Sequence, residues 1–229
     1  MINKIKEKLK RNKIIYKIIY KFKNYVNKMR PGIRGSNIII KNNSIISNIK
    51  YDIIGNNNSI YISDGSRIFN LKIFIRGNNH KIIIGKNCII KSGSIWMEDE
   101  NCTLEIGNST TIEDAHFGIT EPNSTIEVGN DCMLSYGIKL LTGDSHSIID
   151  LTTMKRVNYA DNIKIEEHVW IGADVVILKG VNIAKNSIVG NKSIVTKNHG
   201  PNVIIAGCPA KIIKENITWD RERIYIWKN

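Results

Sequence analysis

From residue 165 onward, large aliphatic residues return every six positions: Ile165, Ile171, Ile177, Ile183, Val189 and Val195. Small residues follow several of them, as Gly172, Ala184 and Gly190. A helix of period 3.6 scatters such positions around its surface, and one unbroken strand of that length is far beyond the usual size. A coil with three flat sides that turns every six residues puts each Ile or Val inside and uses the small neighbour at the corner. The spacing therefore predicts a parallel β-helix.

Upstream the same device runs with a longer period. Ile62, Ile84, Ile106 and Val128 are 22 apart, in NNSIYISDG, NHKIIIGKN, NCTLEIGNS and NSTIEVGND. The six-spacing reappears within these units, as Ile84 to Ile90, Ile106 to Ile112, and Val128 to Leu134 to Leu140. A coil of 22 residues rather than 18 carries four more residues, and these are expected to bulge at one corner. The Asn-rich stretches 56–58, 78–79 and 101 mark that corner, because Asn tolerates the left-handed conformation. Such coils cannot bury their inner faces alone and must stack into one continuous core.

Composition agrees: the chain of 229 residues is rich in Ile, Asn, Lys and Gly, with only 4 Pro. The formal net charge of +12 is uneven. Residues 1–30 hold eleven Lys or Arg and one acid, so that segment carries +10 and leaves +2 for the rest. The body of the protein is thus not charged like a nucleic-acid binder, and no nucleic-acid partner is expected. In residues 1–30, Ile5, Leu9, Ile15, Ile19, Phe22 and Val26 share one side of a basic amphipathic helix. It is read either as contacting an anionic membrane or as capping the end of the solenoid. Pro31-Gly32 ends it, which sets domains at 1–30, 31–205 and 206–229, the last a closing segment with a short helical cap.

Cys88, Cys102, Cys132 and Cys208 form no CxxC pair, and no His stands at metal-ligand spacing from them. They are read as core-filling residues in a cytoplasmic protein. No apolar run is long enough to cross a membrane as a helix, and residues 1–30 lack the apolar stretch of a secretory signal.

The stretch from Ile163 to Lys211 resembles the hexapeptide-repeat acyltransferases, in the branch that acetylates sugars and polysaccharide precursors. The matching residues are VWIGADVVILKGV (169–181), SIVGNKSIVTK (187–197) and NVIIAGCPAKIIKEN (202–216), with TGDSHSI at 142–148. The resemblance implies an all-β fold, a left-handed parallel β-helix, usually trimeric. It also implies acetyl-CoA as co-substrate, a sugar or glycan acceptor, and direct transfer with no metal. Acetyl transfer needs a base for the acceptor proton and a stabilised carbonyl oxygen. His146 lies in a polar stretch, 143–162, that interrupts the six-period, where the family's catalytic His falls, and is read as the base. Asp144, two residues earlier, is read as orienting it. His116 is the competing base. His80, His168 and His199 are read as structural or solvated.

For the cofactor, the resemblance places Trp170 beside the thioester, and Ala173 and Asn191 along the pantetheine arm. Thr196 and Lys197 fall at the nucleotide end, and Lys211 meets a phosphate. Asn191-Lys192 departs from the family's usual small residues. The alternative is a non-catalytic scaffold or a metal-dependent hydratase relative. The latter needs His ligands stacked across coils, and His80, His116 and His146, spaced 36 and 30 apart, do not fit coils of 18 or 22.

Overall fold

The computed structural model describes residues 32–225. They form a three-sided solenoid of parallel coils, in which successive coils give one strand to each of an eight-stranded, a seven-stranded and a nine-stranded sheet. These sheets are called faces I, II and III in the order in which the chain meets them. All coil-to-coil pairings are parallel; the exceptions are the hairpin Ile149–Asp150 with Lys155–Arg156 and the closing pair Ile204–Gly207 with Ala210–Lys214. The amphipathic segment 1–30 lies outside the described residues. The expected C-terminal helical cap is not found among them: Ala210–Lys214 is a strand that folds back on its predecessor, and the chain to residue 225 is irregular.

The two periodicities are the register of the sheets. Ile62, Ile84, Ile106 and Val128 sit side by side on face II. Ile165 pairs with Ile183, Ile171 with Val189, and Ile177 with Val195, one pair per face. All are buried in a single core that runs along the solenoid axis. Corners are turned by residues of positive φ, six apart in the short coils: His168, Asp174, Gly180, Asn186 and Lys192.

The four added residues of the longer coils do not bulge at one corner. Between Asn79 and Asn87 face II spans eight positions, between Asn87 and Gly93 face III spans six, and between Gly93 and Asn101 face I spans eight. Faces I and II therefore gain two residues each, and the Asn corner (Asn57, Asn79, Asn101 and Asn123, all of positive φ) is the vertex between them. Adding residues in pairs preserves the in–out alternation of a strand, so the widened faces bury three side chains in place of two. Leu71, Ile73 and Ile75 do so where Val175 and Ile177 suffice in a short coil.

Inside the corners a polar ladder satisfies backbone groups. Asn37 accepts the amide of Asn58, Asn58 that of His80, and His80 Nδ1 that of Cys102. Cys88, Cys102 and Cys132 are buried corner residues whose thiols donate to backbone carbonyls; Cys208 is exposed. Burial pushes the thiols of Cys102 and Cys132 up to about 11, so they stay protonated.

Candidate functional site

Among the described residues the coils are interrupted by one long excursion. After the face I strand Ile138–Leu141 the chain leaves the corner between faces I and II and returns at Ile163–Ile165. The root is closed by Asp161, whose amide donates to the Thr142 carbonyl at 3.0 Å, while Thr142 Oγ1 accepts the amide of Thr120 on the coil before. Residues 143–162 are thus an excursion from a rigid edge, and His146 stands exposed on it.

Asn158, 7% exposed, organises this loop. Its Nδ2 donates to Asp144 Oδ2 at 2.9 Å and to the His146 carbonyl at 2.7 Å. Its Oδ1 accepts from the Ile148 amide at 2.7 Å and from Arg156 Nε at 3.2 Å. Two ion pairs then fasten the loop to the solenoid: Arg156 to Glu121 through its two terminal guanidinium nitrogens, and Lys179 to Asp144. The Lys179 ammonium also donates to the Asn158 carbonyl at 3.1 Å. The bond from Lys179, then that from Asn158, holds the Asp144 carboxyl below its usual range; the Arg156 guanidinium does the same for Glu121. Asp144 therefore reaches His146 through Asn158 and the main chain, not through the imidazole. Glu121, Arg156, Asn158 and Lys179 did not stand out in the sequence.

The residues matched to the cofactor fall on other parts of the prism. Trp170 points outward from face III, between Met133 and Ile188. Ala173 and Asn191 share the corner between faces III and I. The Ala173 amide donates to Asn191 Oδ1 at 2.9 Å, and its carbonyl accepts the Lys192 amide at 2.8 Å, so Asn191 caps the backbone here. Small residues run up this edge. A Cβ on Gly172 would stand 2.3 Å from Asn191 Oδ1, and one on Gly190 would stand 2.9 Å from the Ala206 Cβ. Lys211 pairs with Ala206 at the end of that edge. Thr196 and Lys197 follow Val195 on face I and lead to the edge from which the loop leaves, one coil beyond Leu178 and Lys179. One chain thus carries two groups: His146, Asp144, Thr196 and Lys197 near the first edge, and Ala173, Asn191 and Lys211 at the other, with Trp170 on face III beside it.

His116 lies on the outer side of face I, its Nδ1 2.8 Å from Ser94 Oγ. Burial first, then the nearby Lys139, lowers its pKa, so the ring is neutral at neutral pH. His80 faces the core and His116 faces outward, so the two share no site. His168 is not a solvated surface residue. It stacks on Trp219 with ring centres 4.2 Å apart, and its Nδ1 is 2.8 Å from Asp131.

The fold is that of a three-sided parallel β-solenoid interrupted by one anchored polar loop, and it is the match to known proteins that names its class. Residues 162–197 match the family described as bacterial transferase hexapeptide (six repeats). The chain is similar to the polysialic acid O-acetyltransferase of Escherichia coli O1:K1 / APEC, 41% identical over 91 residues, which are 40% of this chain and 30% of that protein. It is 46% identical over 71 residues to the galactoside O-acetyltransferase of Escherichia coli (strain K12), covering 31% of this chain and 34% of that one. These matches span about a third of the curated relatives' length. The solved structure of the polysialic acid O-acetyltransferase OatWY superposes with a TM-score of 0.76 at 35% identity, over 83% of this chain and 91% of that one. The chain belongs to the hexapeptide-repeat transferase family.

Proposed function

We propose that the protein moves an acetyl group from acetyl-CoA to a hydroxyl of a sugar in a surface polysaccharide or lipo-oligosaccharide. The observation that carries this reading is the loop fastened through Asn158. It holds an exposed His146 at fixed main-chain geometry on a solenoid similar to that of a polysialic acid O-acetyltransferase. His146 takes the proton of the acceptor hydroxyl as that oxygen bonds to the acetyl carbon, and returns it to the sulfur when the carbon–sulfur bond breaks. Asp144 and Asn158 position the loop. At the half-buried Gly190 and Ala206 the edge beside Trp170 carries no bulky side chain, which suits a slim chain, and Lys197 and Lys211 suit phosphates.

Because the two groups of residues occupy separate parts of the prism, a complete site takes one from each of two neighbouring copies, as a cyclic homotrimer would arrange. The loop supports this, since Ile148, Leu151, Met154, Val157 and Tyr159 are each more than half exposed in the single chain. The reading places the enzyme in the cytoplasm, at the inner membrane face if residues 1–30 bind anionic lipid.

The test is calorimetric titration of the full chain with acetyl-CoA, followed by thiol release with sialic acid oligomers and galactosides. Saturable binding and acceptor-dependent release are expected. No binding by the intact oligomer would leave the solenoid as a scaffold.

A further inference from the structure

Two columns of outward side chains run along face I. One is Lys50, Lys72, Ser94, His116 and Lys139, each in direct register with the next. The other is Asp52, Phe74, Trp96, Gly118, Leu141 and Leu178. Between them lies a groove of about 400 Å³ lined by Lys50, Lys72, Phe74, Ser94, Trp96 and His116.

The second column contains a built platform. Phe74 and Trp96 stack with ring centres 3.8 Å apart. The Arg76 guanidinium lies 3.9 Å over Phe74 and is held by Asp52 at 2.9 Å. Phe74 is clamped, and Trp96, 40% exposed, is fixed as an open aromatic surface. The next residue in the column is Gly118, and in place of a side chain of its own the Leu141 side chain and the His116 ring lean toward the space beyond Trp96. Leu141, the fifth residue of the column, stands next to Thr142, where the His146 loop begins.

The first column carries a cost that calls for a counter-charge. Lys50 and Lys72 stand directly opposite one another, and like charges in that relation destabilise a sheet. Neither they nor Lys139 has an ion-pair partner among the described residues. Burying three unpaired ammonium groups under a second copy of the chain would add a desolvation cost. An anionic, hydroxyl-rich ligand removes it.

From this we infer that face I is the acceptor track: an anionic glycan lies along the axis, one sugar face on Trp96, its acidic groups at Lys50, Lys72 and Lys139, and its hydroxyls at Ser94 and His116. The track deepens the transferase reading and rests on it for the destination of the chain. Strands are about 4.8 Å apart, so Trp96 stands two strands, or roughly 10 Å, from Leu141. An oligomer of several sugars is therefore read, not a single sugar.

The experiment titrates the full-length oligomer, without acetyl-CoA, with sialic acid oligomers of increasing length and with uncharged glucose oligomers of equal length. Wild type is expected to bind the anionic series with affinity that rises with length and falls with salt. Trp96→Ala is expected to raise Kd for the long anionic oligomers about fivefold to tenfold, the weight of one aromatic contact. Lys72→Gln, a change at an exposed residue, should weaken them and reduce the salt dependence. In both variants kcat and the KM for acetyl-CoA should hold while the KM for long acceptors rises. Unchanged Kd in both variants would overturn the track, as would absence of binding by wild type. Loss of the native oligomer in Trp96→Ala would also overturn it, by showing that a second copy covers this face. Acetylation of long glycans with an unaltered KM would sink the track and leave the transferase standing. Variant-sensitive glycan binding with no turnover would do the reverse.

Discussion

Trp219 lies flat on His168, the two rings inclined by only 6°, although 51 residues separate them in the chain. The Trp219 indole donates to the His168 carbonyl at 2.8 Å, and the His168 Nε2 is 3.0 Å from the Trp219 carbonyl. Arg221 continues the contact to Asp131, Thr111 and the Cys132 carbonyl. This latch carries the C-terminal segment down face III and sets Trp219 6.2 Å from Trp170. Trp219→Ala removes one stack and one partly buried hydrogen bond, about 1–3 kcal/mol together. Since the coils pack without it, the solenoid should stay folded while residues 215–225 become sensitive to protease. Acetyl-CoA binding should weaken if Trp170 loses its support. Unchanged proteolysis would show that the segment is held by other contacts.

Replacing His146 tests the assignment of the base. His146→Ala should lower kcat by about 10²- to 10⁴-fold, the range of a general base, and leave the Kd for acetyl-CoA unchanged. His116→Ala should act on acceptor KM instead. The opposite pattern, with turnover kept without His146 and lost without His116, would move the base to face I.

Asn158 is argued to act through the His146 main chain. Asn158→Ala removes its bonds to Asp144, His146, Ile148 and Arg156, and lets the imidazole wander by an ångström or so. Misplacement on that scale costs on the order of 10²-fold in rate. The expected signature is a fall in kcat with the KM for acetyl-CoA and the oligomeric state retained. A parallel rise in both KM values would mean that the loop shapes binding rather than the base.

Much of this could be read before the fold was seen. The inward ladder was visible because an aliphatic every six residues has few other uses, and the loop was visible because it stops the ladder. The place of the added residues was hidden, since pairs inserted on faces I and II leave every in–out alternation intact. Asn158 was hidden among many Asn, and nothing local couples His168 to Trp219. The Phe74–Trp96 stack could have been found, because outward residues also repeat every 22 positions and these two share a column.

The corner ladder makes the fold sensitive to acid at one identified ring. His80 is 1% exposed, its Nδ1 accepts the Cys102 amide at 3.2 Å, and its Nε2 has no hydrogen-bond partner among the described residues. Burial lowers its pKa below 6.5, although the Arg76 and Asp99 carbonyls beside the ring offset part of this. The folded chain then takes up its proton later than the unfolded chain as pH falls. Stability is full above about pH 6.5 and declines below it by up to about 1.4 kcal/mol per pH unit, until the folded pKa is reached. His116 and His199, also lowered by burial, add to the same slope. Asn already fills the two preceding rungs, Asn37 and Asn58, so His80→Asn keeps an acceptor for Cys102. The variant should lose about one proton's worth of pH dependence in denaturant titrations between pH 7.5 and 5.5, at some cost in stability at the upper end for the smaller side chain. Equal slopes in variant and wild type would mean that His80 gains its proton without opening the corner.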